Sequence, residues 1–149
     1  MAADPVGPVP SAPVPVPDLD TAPFLSALRD EQLLLQRCDA CGRHRFPPMP
    51  SCPWCGAERH VFEAVAGVGQ VYSFVTVHRP LTPAFADEVP YVIATVDLDV
   101  GCRIFGRLEA PDGSTPDVVR IGRRVVARFV HHADWTEVRF VGDNIGEQR

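Results

Sequence analysis

Four cysteines stand in two matched turns, Cys38-Asp39-Ala40-Cys41-Gly42 and Cys52-Pro53-Trp54-Cys55-Gly56, with ten residues between Cys41 and Cys52. A CxxC turn aims both sulfurs into one hollow, and the glycine that follows admits a left-handed backbone or a close approach of amides to sulfur. Two such turns supply a tetrahedron of thiolates, which suits Zn²⁺ at about 2.3 Å per bond. Iron fits tetrahedral sulfur as well; the short loop between the turns looks like a structural staple, which makes zinc the favoured ion and iron the alternative. A closed set of four sulfurs leaves no position for water. It predicts a folding staple rather than a Lewis-acid catalyst. A pair of redox CxxC motifs or two disulfides would use the same residues, but no βαβ pattern surrounds them. His44 is a candidate fifth ligand; with the tetrahedron complete it is read as a solvated side chain. Cys102, alone in an apolar run, is read as a small buried hydrophobe.

Little else in the chain offers chemistry. All 14 basic residues are arginine, which removes Schiff-base and lysine-base mechanisms. His78, His131 and His132 are read as surface or core histidines rather than bases. Asp97 and Asp99 share a face near a turn and are read as solvated carboxylates. The sequence has no glycine-rich phosphate motif and no serine–histidine–aspartate arrangement. A net charge of −5 and a pI near 5.4 argue against nucleic acid as the partner, because binding phosphates needs a basic field. Met1-Ala2-Ala3-Asp4 shows neither the basic region nor the apolar run of a signal peptide. No stretch approaches the roughly 20 apolar residues of a membrane span. The expectation is a cytoplasmic protein with reduced, metal-bound cysteines.

The elements that must hold these residues follow from pattern. The first 19 residues are proline-rich and predict an extended, disordered tail. Asp20 or Thr21 can cap a short helix that ends near Asp30 and carries Phe24, Leu25 and Leu28 on one face. Residues 32–37 read as a strand leading into the first cysteine turn. From residue 61 onward the chain reads as strands at 61–66, 70–78, 91–98, 102–109, 124–131 and 135–141, with glycine, proline and aspartate breaks. A short turn or helix is expected around 118–122. Many β-rich runs with short turns predict a small closed barrel. The segment 79–89 is a long connection between two barrel strands.

The second cysteine turn also resembles a rubredoxin knuckle. Residues 34–42, then Phe46-Pro47-Pro48, then 52–56, resemble the rubredoxin-like zinc ribbon of the acyl-CoA-associated OB-fold family (OB, oligonucleotide/oligosaccharide-binding). The runs 67–80, 90–98 and 101–106 resemble that family's barrel strands, and Ile121-Gly122-Arg123-Arg124-Val125 its entry to a later strand. The resemblance covers about residues 20–141. It implies a mainly β chain with a helix and zinc ribbon at 20–60 and a five-stranded OB barrel at 61–141; the tail 1–19 lies outside the family's pattern, and a C-terminal tail is expected at 142–149. It further implies a noncatalytic accessory subunit of a thiolase-superfamily enzyme (thiolase, acyltransferase or sterol-carrier-type aldolase) acting on acyl-CoA, in some cases alongside a MaoC-like hydratase. The alternatives are a stand-alone acyl-CoA binding or carrier protein, a nucleic-acid-binding ribbon protein and a rubredoxin-like electron carrier. The metal ligands are then Cys38, Cys41, Cys52 and Cys55. The candidate ligand or partner contacts are Arg37, Phe46, Trp54, His78, Arg79 and Phe85, with Arg37 and Arg79 placed to meet CoA phosphates. Packing of ribbon on barrel is the competing role for Phe46 and Trp54.

Overall fold

A computed structural model describes residues 11–143. The first ten residues of the proline-rich tail and residues 144–149 lie outside the described residues. Helix α1 (Ala22–Arg29) opens the ordered chain. Thr21 occupies its N-cap position but gives no side-chain cap. The turn before it is tied by Asp18, whose carboxylate accepts from the Thr21 and Asp20 amides and from the Thr21 hydroxyl. That work falls to a residue further upstream than the expected cap. Phe24, Ala27 and Leu28 form the buried face of α1. Pro15 and Pro17, within the expected tail, line a cavity of about 360 Å³ with Leu25, Arg29 and Trp135.

Strands β1 (Leu33–Cys38), β2 (His44–Arg45) and β3 (His60–Val65) form an antiparallel sheet in the order β2-β1-β3. The sequence reading groups the strand at 61–66 with the barrel. In the structure it pairs with β1 along its whole length, from Leu33↔Val65 to Cys38↔His60. It is therefore the third strand of the ribbon sheet. Leu33 and Leu35 face the common core, whereas Gln36 and Cys38 are buried on the cysteine side.

Strands β4 (Val68–Val77), β5 (Tyr91–Leu98), β6 (Arg103–Glu109), β7 (Arg124–His131) and β8 (Thr136–Gly142) close into a barrel in the order β4-β5-β6-β8-β7. Among the described residues the single parallel pair is β6 with β8. This strand order is that of an OB fold. Strand β5 alternates buried and half-exposed residues without a break, so Val92, Ala94, Val96 and Leu98 point inward. Ile104, Val125 and Phe140 complete an interior with no exposed surface. A bulge at Tyr72 bends β4 so that it can pair with both β5 and β7. Gly69 lies where these pairings meet; a Cβ there would stand 2.2 Å from the Asp97 carbonyl oxygen. The stretch 110–123 is irregular, with turns where a short helix was one expectation. The connection 79–89 holds only a short 3-10 turn, Pro83–Phe85. The helix and Leu33 and Leu35 join the barrel interior in one continuous core. Among the described residues no helix is long and apolar enough to cross a membrane.

Candidate metal centre and the face around it

The two cysteine turns are near copies of each other. Cys38 and Cys52 each accept, through their carbonyls, an amide hydrogen bond from the glycine four residues on, Gly42 and Gly56, at 2.9 Å. Both glycines sit at φ near +75°, at 73° and 76°, a region where other residues are strained. Each turn is closed again from behind, by Cys38 N to Arg43 O at 2.9 Å and Cys52 N to Ala57 O at 2.8 Å. The four sulfurs consequently lie within 4.8 Å of one another. Cys38 and Cys55 are 3.6 Å apart, and Cys41 and Cys52 3.7 Å. A tetrahedron with bonds of about 2.3 Å has edges of about 3.8 Å, so the donor set fits a single soft cation.

The electrostatics point the same way. The Cys41 amide draws the Cys38 thiol below its usual value, with burial opposing it and the Ala40 amide assisting. At Cys52 burial pushes the thiol up, but the amides of Cys55 and Trp54 and the Cys41 sulfur bring it to about 6. Cys55 goes the other way, to about 11. The Ala57 amide favours its thiolate, yet the sulfur of Cys38, burial and the sulfurs of Cys52 and Cys41 prevail. Four thiolates crowd too closely to ionise together unless a cation shares the space. Cys38 and Cys52 are buried while Cys41 and Cys55 are exposed, so the centre sits at the surface of the ribbon.

Cys102 is 3% exposed, and burial raises its thiol to about 11, as suits an inert core residue. His44 differs from the expectation of a solvated side chain. It is half-buried and bonds Glu63 at 3.0 Å, and the same carboxylate pairs with Arg37 at 3.0 Å. Asp97 and Asp99 are engaged too, Asp97 by Arg103 and Asp99 by Arg124. The hydrogen bond from Arg124 holds the Asp99 carboxyl below its ordinary value, although burial opposes it.

The expected contact residues fall into two groups. Phe46 stacks edge-on between Phe24 and Phe105, at 5.5 and 5.3 Å, and so joins helix, ribbon and barrel. Trp54 is half exposed, with the Arg43 guanidinium 5.6 Å from its ring. The two share a cavity of about 310 Å³ with Asp97, Gly101, Cys102 and Arg103. Arg37 belongs to the same ribbon but is engaged by Glu63. His78, Arg79 and Phe85 lie beyond the far end of β4, roughly 20 Å of strand away from that cavity. His78 and Arg79 are exposed there and Phe85 is half-buried. Sequence reasoning passed over the residues that extend the first group across the barrel. Arg103 lies 3.5 Å from the centre of the exposed Tyr72 ring, and Phe105 is 56% exposed. An arginine and a phenylalanine two apart in a strand share one face, but which face is open depends on the neighbouring strands.

Comparison with known proteins gives a consistent result. Residues 25–61 match the family described as "ChsH2, rubredoxin-like zinc ribbon domain". Residues 62–130 match "ChsH2, C-terminal OB-fold domain". The chain is 41% identical over 125 residues to the "probable enoyl-CoA hydratase alpha subunit" of Thermomonospora curvata, covering 84% of this chain and 36% of that protein. It is 37% identical over 95 residues to a "DUF35 domain-containing scaffold protein" of Methanocaldococcus jannaschii, covering 62% of this chain and 64% of that one. It thus spans about a third of the hydratase subunit and just under two thirds of the scaffold protein. The solved structure of the "Ltp2-ChsH2(DUF35) aldolase" aligns at a TM-score of 0.74 and 38% identity, over 87% of this chain and 98% of that one.

Proposed function

The chain belongs to the ChsH2 (DUF35) family of zinc-ribbon and OB-fold proteins, and from that premise we propose that it is a noncatalytic accessory subunit. Its partner in this reading is a thiolase-superfamily enzyme (thiolase, acyltransferase or aldolase) acting on acyl-CoA thioesters. The subunit stabilises that enzyme and helps to form its acyl-CoA site. The ion in the ribbon is zinc, and the complex is cytoplasmic. A MaoC-like hydratase is a second candidate neighbour.

One observation carries the reading. The chain joins a closed metal site to an open surface of Trp54, Phe105, Tyr72 and Arg103, and none of these has the nucleophile–base geometry of a catalyst. Exposed aromatic and arginine side chains are the groups that anchor protein interfaces. The relatives support the partner class: one is a hydratase alpha subunit, one a scaffold protein, and one a component of an aldolase assembled with Ltp2. A stand-alone acyl carrier would need a hollow for the chain. The barrel interior is instead filled by Ile104, Val96, Val125 and Phe140, all without exposed surface.

The test is affinity capture from the native host, with the eluate assayed on acyl-CoA thioesters. A thiolase-like protein should be recovered, active only in the complex. Recovery of the chain alone, still binding CoA, would favour the carrier. With the partner in hand, Trp54→Ala and Phe85→Ala should each weaken capture about tenfold or more, in the range of interface anchors, at normal metal content. Unchanged capture by both variants removes these residues from the interface.

A further inference from the structure

On the cysteine-bearing face of the ribbon sheet lies a buried cation that, among the described residues, no carboxylate accompanies. Arg45 is 1% exposed. The register pairs Gln36 with Arg45 and Cys38 with His60, so these four side chains share one face of the ribbon sheet. Gln36 Oε1 accepts from Arg45 Nε at 2.8 Å and from the Met49 amide at 2.9 Å. That fixes the amide, and Gln36 Nε2 must donate to His60 Nε2 at 3.1 Å. The imidazole proton is thereby placed on Nδ1, where it is donated to the Glu58 carbonyl at 2.9 Å.

Arg45 Nη2, 3.1 Å from that same Nδ1, therefore meets another donor; its acceptor is the Met49 carbonyl at 3.1 Å. Nη1 is buried with no partner among the described residues. A guanidinium has five N–H groups. Here two find acceptors, and among the described residues Arg45 takes part in no ion pair. A buried, unpaired cation is costly unless an anion is near. The anion available on this face is the thiolate centre, since four thiolates around a divalent ion carry a net charge of −2.

We propose that Arg45 is the buried counter-cation of the four-cysteine centre, held by Gln36 and the Met49 carbonyl beside Cys38. Its positive charge favours the loaded ribbon and penalises the empty one. Arg45 is then a positioning residue for metal retention, independent of any partner enzyme.

The role predicts opposite effects in the two states. In the full chain, Arg45→Met should lower zinc affinity about 10–100-fold, the usual effect of removing an outer-shell partner, as read by transfer to a chromogenic chelator. The chelated Arg45→Met protein should unfold at the same denaturant midpoint as chelated wild type, or a higher one. Arg45→Lys, which keeps the charge and loses the fork, should recover part of the affinity. A lower midpoint for chelated Arg45→Met overturns the proposal and makes Arg45 an ordinary staple, as does an unchanged zinc affinity. If Arg45→Met does not fold, the wild type still decides. Its Arg45 Nε–H resonance should shift and gain exchange protection on titration with Zn²⁺ or Cd²⁺. An unmoved resonance counts against the role.

Discussion

The ribbon and the barrel reach order by different means. In the barrel, closure of five strands removes the sheet edges, and inward valines, Ile104 and Phe140 exclude water. Between Cys38 and His60 the ribbon has only the two residues of β2 in regular structure. Besides Cys38 and Cys52 it buries Gln36 and Arg45, residues that a hydrophobic core would not choose. Apolar surface organises one region; sulfur, charge and hydrogen bonds organise the other. The lesson is that a short segment can dispense with an apolar core where metal ligands and buried hydrogen bonds hold it together. Very small units without a core of their own commonly use a metal, a disulfide or association in this way.

The largest expected effect tests that division directly. Removing the metal with a chelator, or breaking the site by Cys52→Ser, should lower amide exchange protection over residues 39–59 far more than anywhere in the barrel. Structural zinc contributes about 10–16 kcal/mol of apparent free energy in small fingers. Strands β4 to β8 should keep their protection and unfold cooperatively. If the barrel melts with the ribbon, the two regions are one unit and the contrast fails.

The converse experiment is smaller. Phe140 is fully buried, with its ring against Gly106. Phe140→Ala should destabilise the chain by about 3–5 kcal/mol, the range for deleting a core aromatic. The denaturant midpoint reports it, and metal stoichiometry of the folded fraction should be unchanged.

The smallest effect sharpens the comparison at the barrel's charged seam, where Glu109, Glu137 and Arg139 meet across β6 and β8. Burial alone would raise the Glu137 carboxyl. Hydrogen bonds from Arg139 and His132 outweigh it and hold the group below its ordinary value. A carboxyl depressed in the folded state stabilises the fold above its unfolded value, near 4.3, and that contribution is lost as pH falls through the folded value. Glu137→Gln should therefore flatten the acid limb of stability below about pH 4.3, by about 1 kcal/mol or less after screening. A parallel acid limb in the variant would show that the seam contributes nothing.

Much of this was legible in the sequence, for physical reasons. Cysteine spacing specifies a metal site because the geometry is local to two turns. The period-two pattern of Tyr91–Leu98 specifies a strand with one buried face, and the structure returns the same bounds. Partner choice among strands is another matter. Residues 60–65 look like any strand, and only pairing with β1 makes them part of the ribbon. Arg45 was equally opaque: nothing in the type or spacing of an arginine between two cysteine turns marks it as buried. The candidate contacts belong to two separate segments, the ribbon's linker and the connection 79–89, whose distance from each other a sequence does not carry. The fold then set Phe46 and Trp54 at one end of the barrel and His78, Arg79 and Phe85 at the other.

The file of rings from Phe24 through Phe46 to Phe105 gives the molecule a built-in optical and magnetic gauge. Phe46 travels with the ribbon, Phe24 with the helix and Phe105 with the barrel. Ring-current shifts fall steeply with distance and angle, so a small tilt of the ribbon would move the Phe105 proton resonances before any backbone hydrogen bond opened. Metal loss that loosens the ribbon in place would leave those resonances near their folded positions; metal loss that swings the ribbon off the barrel would carry them toward the values of an unstacked phenylalanine.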